Sequence, residues 1–281
     1  MSKSTAAISE SRRLIVHRTR GLRHGAITRL MSPSDRGHIL KPFVFLDLFD
    51  SEGTSFSAMA LHPHSGIATL TYMIEGSVRY EDTSGATGIL PEGGVEWFKA
   101  GHGAWHGGGP NGSGRARGFQ LWIALPPELE LDPPESIYQA PETVQRDGPA
   151  IVLLGKHGGV SSQLPAPSSM TYLFVHLKAG ESWSYQPPAD HTVSWVALAT
   201  GSLAVPDDRV QAVELAVFEP SNEAIDFSAE ADTEFVLGSA ASHPYELALG
   251  NYSVHTSPAS LRAGERRIIE IRKRLRDEGR L

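Results

Sequence analysis

Residues 62–80 read HPHSGIATLTYMIEGSVRY, and this stretch decides the fold class. Residues 68–74 form a short run rich in β-branched and aromatic side chains, which is typical of a β-strand. A turn at Glu75 and Gly76 follows, and residues 77–80 then supply a second run of the same kind. Two such runs joined by a tight turn predict an antiparallel β-hairpin.

The same signal recurs on both sides of a proline-rich, acidic segment at residues 126–149, which we expect to be a linker or a crossing segment rather than a core strand. The further strand-like runs are 43–46, 95–98 and 119–125 before this segment, and 170–177, 193–198 and 234–237 after it. Many short strands separated by turn residues favour a β-sandwich or β-barrel. The sequence therefore predicts two β-domains, residues 1–130 and residues 131–281.

Two separated histidine segments form a candidate metal site. His62 and His64 are two residues apart, so in an extended strand both side chains point to the same face. A third imidazole, His106, follows the turn at residues 91–94, which returns the chain toward the first strand. Three imidazoles can hold one divalent transition metal and leave its remaining positions open. The chain contains no cysteine, so thiolate ligands, iron-sulfur clusters and disulfides are excluded.

Three further side chains near this site are weaker candidates. His102 lies among glycines four residues before His106, and we expect it in a loop or behind the ligands rather than on the ion. Glu75 and Glu96 are the nearest carboxylates in sequence. A glutamate at a strand end before glycine is more often solvated than metal-bound, so neither is our first choice as a ligand.

An internal repeat supports two copies of one architecture. Residues 64–76 can be set beside residues 191–201, since each segment runs from a histidine through an apolar strand into a Gly-Ser turn. On this alignment Ala189 stands in the place of His62. No histidine in residues 202–242 could supply the third imidazole, so we expect the second copy to have lost the metal site.

The end of the chain has a helical pattern. Ser257 is a good N-cap, Pro258 suits the first turn, and apolar side chains recur at mostly helical spacing over residues 261–275. A basic helix can bind a partner or a membrane, but docking of its apolar face on its own domain is the commoner outcome and the one we expect.

The net charge of −7 is unevenly distributed. Residues 1–40 carry eight Lys/Arg against two acids and residues 257–281 carry eight against four, while the middle carries nine against twenty-six. Aromatic interleaving and nucleic-acid motifs do not accompany the basic ends, so we expect these ends to complement the acidic body rather than to bind nucleic acid. No apolar run is long enough to cross a bilayer, and residues 1–5 lack the pattern of a secretion signal, so we expect a cytoplasmic protein without a membrane partner.

At the histidine segments the sequence resembles the pirin family of the cupin superfamily. The matching stretches are KPFVFLD at 41–47, HPHSG at 62–66, TYMIEG at 71–76, WFKAGHG at 97–103, His106, and GFQLW at 118–122. The resemblance is close over about residues 36–125 and is a looser architectural likeness through the second half of the chain.

This resemblance implies an all-β bicupin, in which two jelly-roll β-barrels face each other, with one metal in the first barrel and a closing helix. Pirin-like proteins typically hold iron with three histidines and a glutamate. The implied ligands are His62, His64 and His106, and the implied metal is iron, although zinc, nickel and copper also suit imidazole ligands. The glutamate is missing, since its place is taken by Gly108, and an acidic residue often found near the first pair falls on Ala68.

The resemblance implies two activities. Some relatives are quercetin dioxygenases, which predicts an oxygenase acting on a small aromatic or enol compound. Others are redox-sensitive binding partners, which predicts a non-enzymatic protein that interacts with a regulatory protein. A scaffold with an empty site is a third possibility. The residues leave the metal, the substrate, the partner and the oligomeric state open, with a monomer among the options.

Overall fold

The computed structural model describes residues 13–52 and 59–281, which form mainly antiparallel β-strands. In chain order the strands are β1 (Ile15–Thr19), β2 (Leu22–His24), β3 (Ile27–Met31), β4 (Phe43–Ser51), β5 (Met59–His64), β6 (Ile67–Glu75), β7 (Val78–Asp82), β8 (Thr87–Leu90), β9 (Val95–Lys99), β10 (Ala104–Pro110), β11 (Ala116–Ala124), β12 (Glu135–Gln139), β13 (Arg146–Asp147), β14 (Ala150–Leu154), β15 (Lys156–His157), β16 (Val160–Ser161), β17 (Met170–Leu177), β18 (Ser182–Tyr185), β19 (Val193–Thr200), β20 (Ser202–Val205), β21 (Asp208–Gln211), β22 (Leu215–Phe218), β23 (Ile225–Ala229), β24 (Thr233–Ala240), β25 (Ala248–Leu249) and β26 (Val254–His255). The helices are α1 (Arg36–Ile39), a 3₁₀ turn (Pro141–Thr143) and α2 (Pro258–Asp277). The expectation about a secretion signal in residues 1–5 lies outside the described residues.

Four sheets build two barrels of the same design. In the first barrel a seven-stranded sheet, in the order β12-β9-β6-β11-β4-β3-β2, faces a four-stranded sheet in the order β5-β10-β7-β8. In the second barrel the orders are β1-β22-β19-β24-β17-β14-β13 and β18-β23-β20-β21. The central strands β6 and β19 occupy equivalent places, and each ends in a turn glycine with positive φ, Gly76 and Gly201. The internal repeat predicted from the sequence is therefore visible in the strand order.

The two seven-stranded sheets pack against each other through one continuous apolar core. The ring of Phe43 lies 5.4 Å from that of Trp195, and the ring of Tyr72 lies 4.8 Å from that of Phe174. Alternate side chains of each central strand enter this core, while those between them face the barrel interior, as the period of two in a strand requires. The predicted all-β bicupin with a C-terminal helix is confirmed.

Strand β1 and helix α2 each lie on the barrel that is built mainly by the other half of the chain. Strand β1 pairs with β22 in the sheet of the second barrel. Helix α2 lies on the first barrel, where Ile271 and Leu275 pack against Leu61 and Trp105. A division of the chain at residue 130 into two folding units stays a prediction, and these contacts cross it in both directions.

The segment at 126–149 contains more regular structure than the sequence indicates. Within it β12 pairs with β9 at the edge of the first sheet, and β13 pairs with β14 in the second. The prolines fall outside β12, where they flank the edge strand instead of interrupting its hydrogen bonds. The expected linker therefore also contributes an edge strand to the first barrel.

The predicted C-terminal helix is confirmed at its start. Oγ of Ser257 accepts a hydrogen bond from the backbone N–H of Ser260 at 3.1 Å, and Pro258 stands in the first turn. The buried side of α2 faces the first barrel, as expected for an amphipathic helix. None of the described helices combines the length and the apolar character that a membrane crossing requires.

Because of the buried side chain of His243, in the loop between β24 and β25, we predict that the free energy of unfolding decreases in acid. Burial, together with the positive charge of Lys41, lowers the pKa of His243 from 6.5 to about 4. Between these values the unfolded chain binds more protons than the folded chain, so stability is full above about pH 6.5 and falls as the pH drops toward 4. Going from pH 7 to about pH 4.5 should cost roughly 2–3 kcal/mol at this one site.

Urea unfolding of wild type and of His243→Gln at both pH values measures this contribution. The substitution removes the titrating group, so the difference in unfolding free energy between the two proteins should change by the stated amount in favour of the variant at the lower pH. Parallel pH profiles for the two proteins would contradict the prediction.

Candidate metal centre

Strands β5 and β10 bring the three predicted histidines together. They pair antiparallel, with His106 directly opposite His62 and Trp105 opposite Pro63. His62 and His64 lie on the same face because they are two residues apart in β5. Pro63 is tolerated between them because β5 is the edge strand of its sheet.

The three rings form one compact group. Their centroids are 4.6 to 5.1 Å apart, and one ligand atom from each ring lies within 4.8 Å of the other two. Within residues 13–52 and 59–281 this is the group whose donor atoms could hold a metal ion. Their role as ligands stays a prediction, but the structure places the three imidazoles at one point.

Each ring has a partner on the nitrogen that faces away from the group. Nδ1 of His62 lies 3.1 Å from the carbonyl oxygen of Ala60, and Nδ1 of His64 lies 3.0 Å from that of Tyr252. Nδ1 of His106 lies 3.2 Å from Oε1 of Glu96. Such partners fix the tautomer in which Nε2 carries the free lone pair, as metal-binding histidines require.

The remaining nitrogens fit a metal. Nε2 of His64 and Nε2 of His106 are buried and have no hydrogen-bond partner among the residues that the structure describes. Buried polar atoms are rarely left unpaired, so two on adjacent rings indicate a site for a ligand. The donor set is three neutral imidazoles, which suits iron, zinc, nickel or copper and does not choose among them.

The site keeps two of its imidazoles neutral. Burial and the neighbouring His106 lower the pKa of His62 to about 4. Burial, followed by His106 and His62, lowers the pKa of His64 well below its usual value. A metal competes with protons for these nitrogens, so a low pKa leaves them available at neutral pH.

Glu96 supports the site through its contact with His106, on the side of that ring that faces away from the other two histidines. This role was not predicted from the sequence. Its side chain is buried and accepts hydrogen bonds from Thr71 at 2.8 Å and from Tyr138 at 3.4 Å, besides its contact with His106. Burial alone would raise the pKa of Glu96, but the hydrogen bonds from His106, Thr71 and Tyr138 outweigh it and lower the pKa. A carboxylate held against a ligand histidine orients the ring and raises its basicity.

One signal in the sequence could have identified Glu96. It is an acid inside a strand whose neighbours Val95, Trp97 and Phe98 are all apolar and buried. An acid in such a run needs buried partners. Phe98, on the same face of β9, stacks on the ring of His106 with centroids 4.3 Å apart.

The other predicted candidates lie apart from the group. His102 sits in the turn before β10, where its backbone N–H donates to the carbonyl oxygen of Asp132 at 2.9 Å. Glu75 lies at the end of β6 and contacts Arg115 at 3.5 Å with a partly exposed side chain. These positions agree with a loop role for His102 and a solvated role for Glu75.

The two positions that depart from the family pattern differ in their surroundings. Gly108 lies in β10 opposite Tyr80, and a Cβ on it would lie 2.5 Å from the carbonyl oxygen of Arg79. Ala68 faces the core between the barrels, on the opposite side of β6 from Thr71. An acid at position 68 would therefore point away from the three histidines.

A cavity of about 80 Å³ adjoins the histidines inside the barrel, and its polar lining includes Asp47, Thr71, Glu96 and Gln120. Asp47, Gln120 and His62 also line an open groove of about 690 Å³ at the barrel mouth. The inner cavity and the outer groove thus share one wall, and a ligand in the groove can reach the histidines.

Asp47 is the acid on that shared wall. Arg29 holds its carboxylate with two hydrogen bonds, at 3.0 and 3.1 Å. Burial raises the pKa of Asp47, and the hydrogen bonds from Arg29 oppose this rise without cancelling it. The side chain was not singled out from the sequence, because only the pairing of β4 with β11 places Asp47 opposite Gln120.

Comparison with known proteins agrees with this geometry. The pirin family profile matches residues 25–123. A pirin-like protein from Caulobacter vibrioides is 31% identical over 75% of this chain and 79% of its own length. A quercetin 2,3-dioxygenase structure from Acinetobacter baumannii has a TM-score of 0.84 at 20% identity, covering 95% of this chain and 98% of its own. A bacterial pirin from Escherichia coli, in complex with nickel(II), has a TM-score of 0.63 at 20% identity over 79% and 95% of the two chains. On fold, site and sequence, the chain belongs to the pirin family.

Proposed function

We propose that this chain is a metal-dependent oxygenase that acts on a small planar aromatic or enol compound, with flavonols as the model substrates. The observation that carries the proposal is the pair of buried Nε2 atoms on His64 and His106, which lack a partner within residues 13–52 and 59–281 and lie beside a cavity that opens to the barrel mouth. The quercetin 2,3-dioxygenase fold of the Acinetobacter baumannii protein supports the same reaction class.

His62, His64 and His106 would hold the metal in this proposal. When bound, the metal would polarise an enol oxygen of the substrate and supply the reactivity toward dioxygen. The protein contributes a fixed set of neutral imidazoles, oriented by Ala60, Tyr252 and Glu96 through their Nδ1 atoms. Because Gly108 supplies no carboxylate, one more position is left for substrate or water than in a four-ligand site.

Asp47 is the proposed base. The family's glutamate is absent, so another group must accept the proton of the substrate hydroxyl. Glu96 is a poor choice, because its hydrogen bonds from His106, Thr71 and Tyr138 lower its pKa and so make it a weaker proton acceptor. Asp47 lines both the cavity and the groove, and its raised pKa makes it the stronger proton acceptor of the two.

Oxygen uptake with a flavonol tests this function. Protein loaded with iron, nickel or zinc should consume dioxygen with at least one of these metals, and Asp47→Asn should lower kcat by roughly 10²- to 10⁴-fold, the usual size of a general-base effect. Asp50→Asn is the matched control on the same strand, because Asp50 pairs with Arg115 at 2.8 Å near the surface and should leave kcat unchanged. Absence of uptake with every metal would refute the oxygenase.

A second function is favoured by Gly108, because this position carries no carboxylate where the family's chemistry uses a glutamate ligand. In this alternative the metal centre fixes the shape of a surface that a regulatory protein recognises. Pull-down from a native extract with and without chelator, together with absent oxygen uptake, would support it. Iron as the metal and the cytoplasm as the location remain part of our proposal, and elemental analysis of the purified protein tests the first.

A further inference from the structure

A buried cluster of Ser65, His255 and Glu130 lies behind the histidine site, outside its cavity. Nε2 of His255 is 2.9 Å from Oγ of Ser65, and Nδ1 of His255 is 3.3 Å from Oε2 of Glu130. All three residues are at most 3% exposed. The order of hydroxyl, imidazole and carboxylate is that of a nucleophilic triad, but the cluster was not indicated by any sequence motif.

The burial of Ser65 excludes hydrolysis at this cluster. Helix α2 covers the hydroxyl so closely that a Cβ on Gly264 would lie 2.4 Å from Oγ of Ser65. No acyl group can approach a nucleophile that is covered in this way. The three side chains therefore have a structural role, which is to hold the neighbouring chain segments in place.

The cluster holds the segment that supplies the partner of His64. Oγ of Ser65 donates to Oγ of Ser253 at 2.9 Å, and the N–H of Val254 donates to the carbonyl oxygen of Ser65 at 3.2 Å. The backbones of the two segments form an isolated parallel bridge between Ser65 and Ser253. One residue before Ser253 is Tyr252, whose carbonyl oxygen lies 3.0 Å from Nδ1 of His64. The position of that carbonyl thus depends on the bridge.

The ring of His255 is itself tightly fixed. It lies against Gly66 and Gly264, and a Cβ on either glycine would come within 2.7 Å of its ring atoms. Glu130, on its other edge, accepts hydrogen bonds from the N–H of Thr256 at 2.7 Å and from its Oγ1 at 2.9 Å. A ring confined in this way can hold Ser65 in one place.

We propose that His255 is a positioning residue for the metal centre: through Ser65 and the bridge to Ser253 it sets the carbonyl of Tyr252 that orients the ring of His64. The inference rests on the proposed metal site. It assigns to the C-terminal part of the chain, 188 residues from His64, a role in metal affinity. Groups that hydrogen-bond to a ligand histidine and orient its ring typically contribute 10- to 100-fold to the affinity for the metal.

The test compares His255→Ala with His243→Ala. Both remove a buried imidazole from the same C-terminal segment. The described hydrogen bonds and ring contacts of His243 reach neither Ser65 nor His64, and its interaction with the cluster is the electrostatic one with Glu130. Nickel(II) affinity is measured by competition with a chelator, and the absorption spectrum of the cobalt(II) form reports the ligand geometry. We expect His255→Ala to weaken nickel(II) binding roughly 10- to 100-fold with a changed cobalt(II) spectrum, and His243→Ala to stay within about twofold of wild type.

Ser65→Ala is the second variant, because loss of one hydroxyl is a small change that still cuts the link to His255. It decides the question if His255→Ala does not fold, and it should weaken nickel(II) binding in the same direction. Wild-type affinity and spectrum in both folded variants would overturn the positioning role while leaving the metal site intact. Failure of wild type itself to bind nickel(II) would overturn the metal centre and this inference with it.

Discussion

His106→Ala is expected to leave a folded protein that no longer retains its metal. His106 supplies one of three imidazoles, and its loss leaves His62 and His64 alone on β5 with no donor from β10. If the ligands share a total binding free energy of about 10–16 kcal/mol, one of them is worth roughly 4 kcal/mol, or about a thousandfold in affinity. Elemental analysis of protein purified without added metal should fall from about one ion per chain to a trace.

His102→Ala is the control for this experiment. It removes an imidazole four residues away, in a turn whose backbone is held by Asp132. Its metal content should equal that of wild type. Circular dichroism on both variants separates loss of the ligand from loss of the fold. Equal metal in wild type and in folded His106→Ala would remove the basis for the site.

Gly108→Glu is expected to destabilise the protein instead of restoring the four-ligand site typical of the family. A Cβ at this position would lie 2.5 Å from the backbone carbonyl oxygen of Arg79, and a backbone atom cannot move aside as a flexible side chain can. Separating β10 from β7 to make room should cost about 2–3 kcal/mol, as overpacking in a tight interior does. Thermal unfolding should shift down by roughly 5–10 °C.

Gly114→Glu is the control, in the loop between β10 and β11. A Cβ on Gly114 would meet no atom within 4 Å, and the residue is exposed, so this variant should unfold within about 0.5 kcal/mol of wild type. Nickel(II) titration of the two variants adds a second measurement. A Gly108→Glu protein with wild-type stability and tighter metal binding would show that the strands accept a carboxylate here.

The sequence predicted those parts of the site that depend on local patterns. The spacing of His62 and His64 gives their common face because a strand alternates with a period of two. The turn before His106 predicts the return of the chain, and the described pairing of β5 with β10 agrees with it. The helix start at Ser257 was likewise readable, because capping depends on neighbours in sequence.

The parts that were missed depend on pairing over long distances in the chain. Asp47 reaches the cavity wall only through the register of β4 with β11, and the carbonyl of Tyr252 comes from 188 residues beyond His64. Glu96 carried a local signal, an acid inside an apolar strand, but its partner Tyr138 lies in an edge strand that the prolines concealed. The family resemblance located the ligands and said nothing about these supporting groups.

Strand β1 and helix α2 each pack on the barrel that the other half of the chain builds, so a cut at residue 130 would break contacts on both sides. A fragment ending at residue 130 would carry all three imidazoles yet lack the carbonyl behind His64 and the helix that covers Leu61 and Trp105. The complementary fragment would lack β1 and leave the edge of β22 unpaired. We therefore expect neither half to be a transplantable module, because each one needs contacts that the other half supplies.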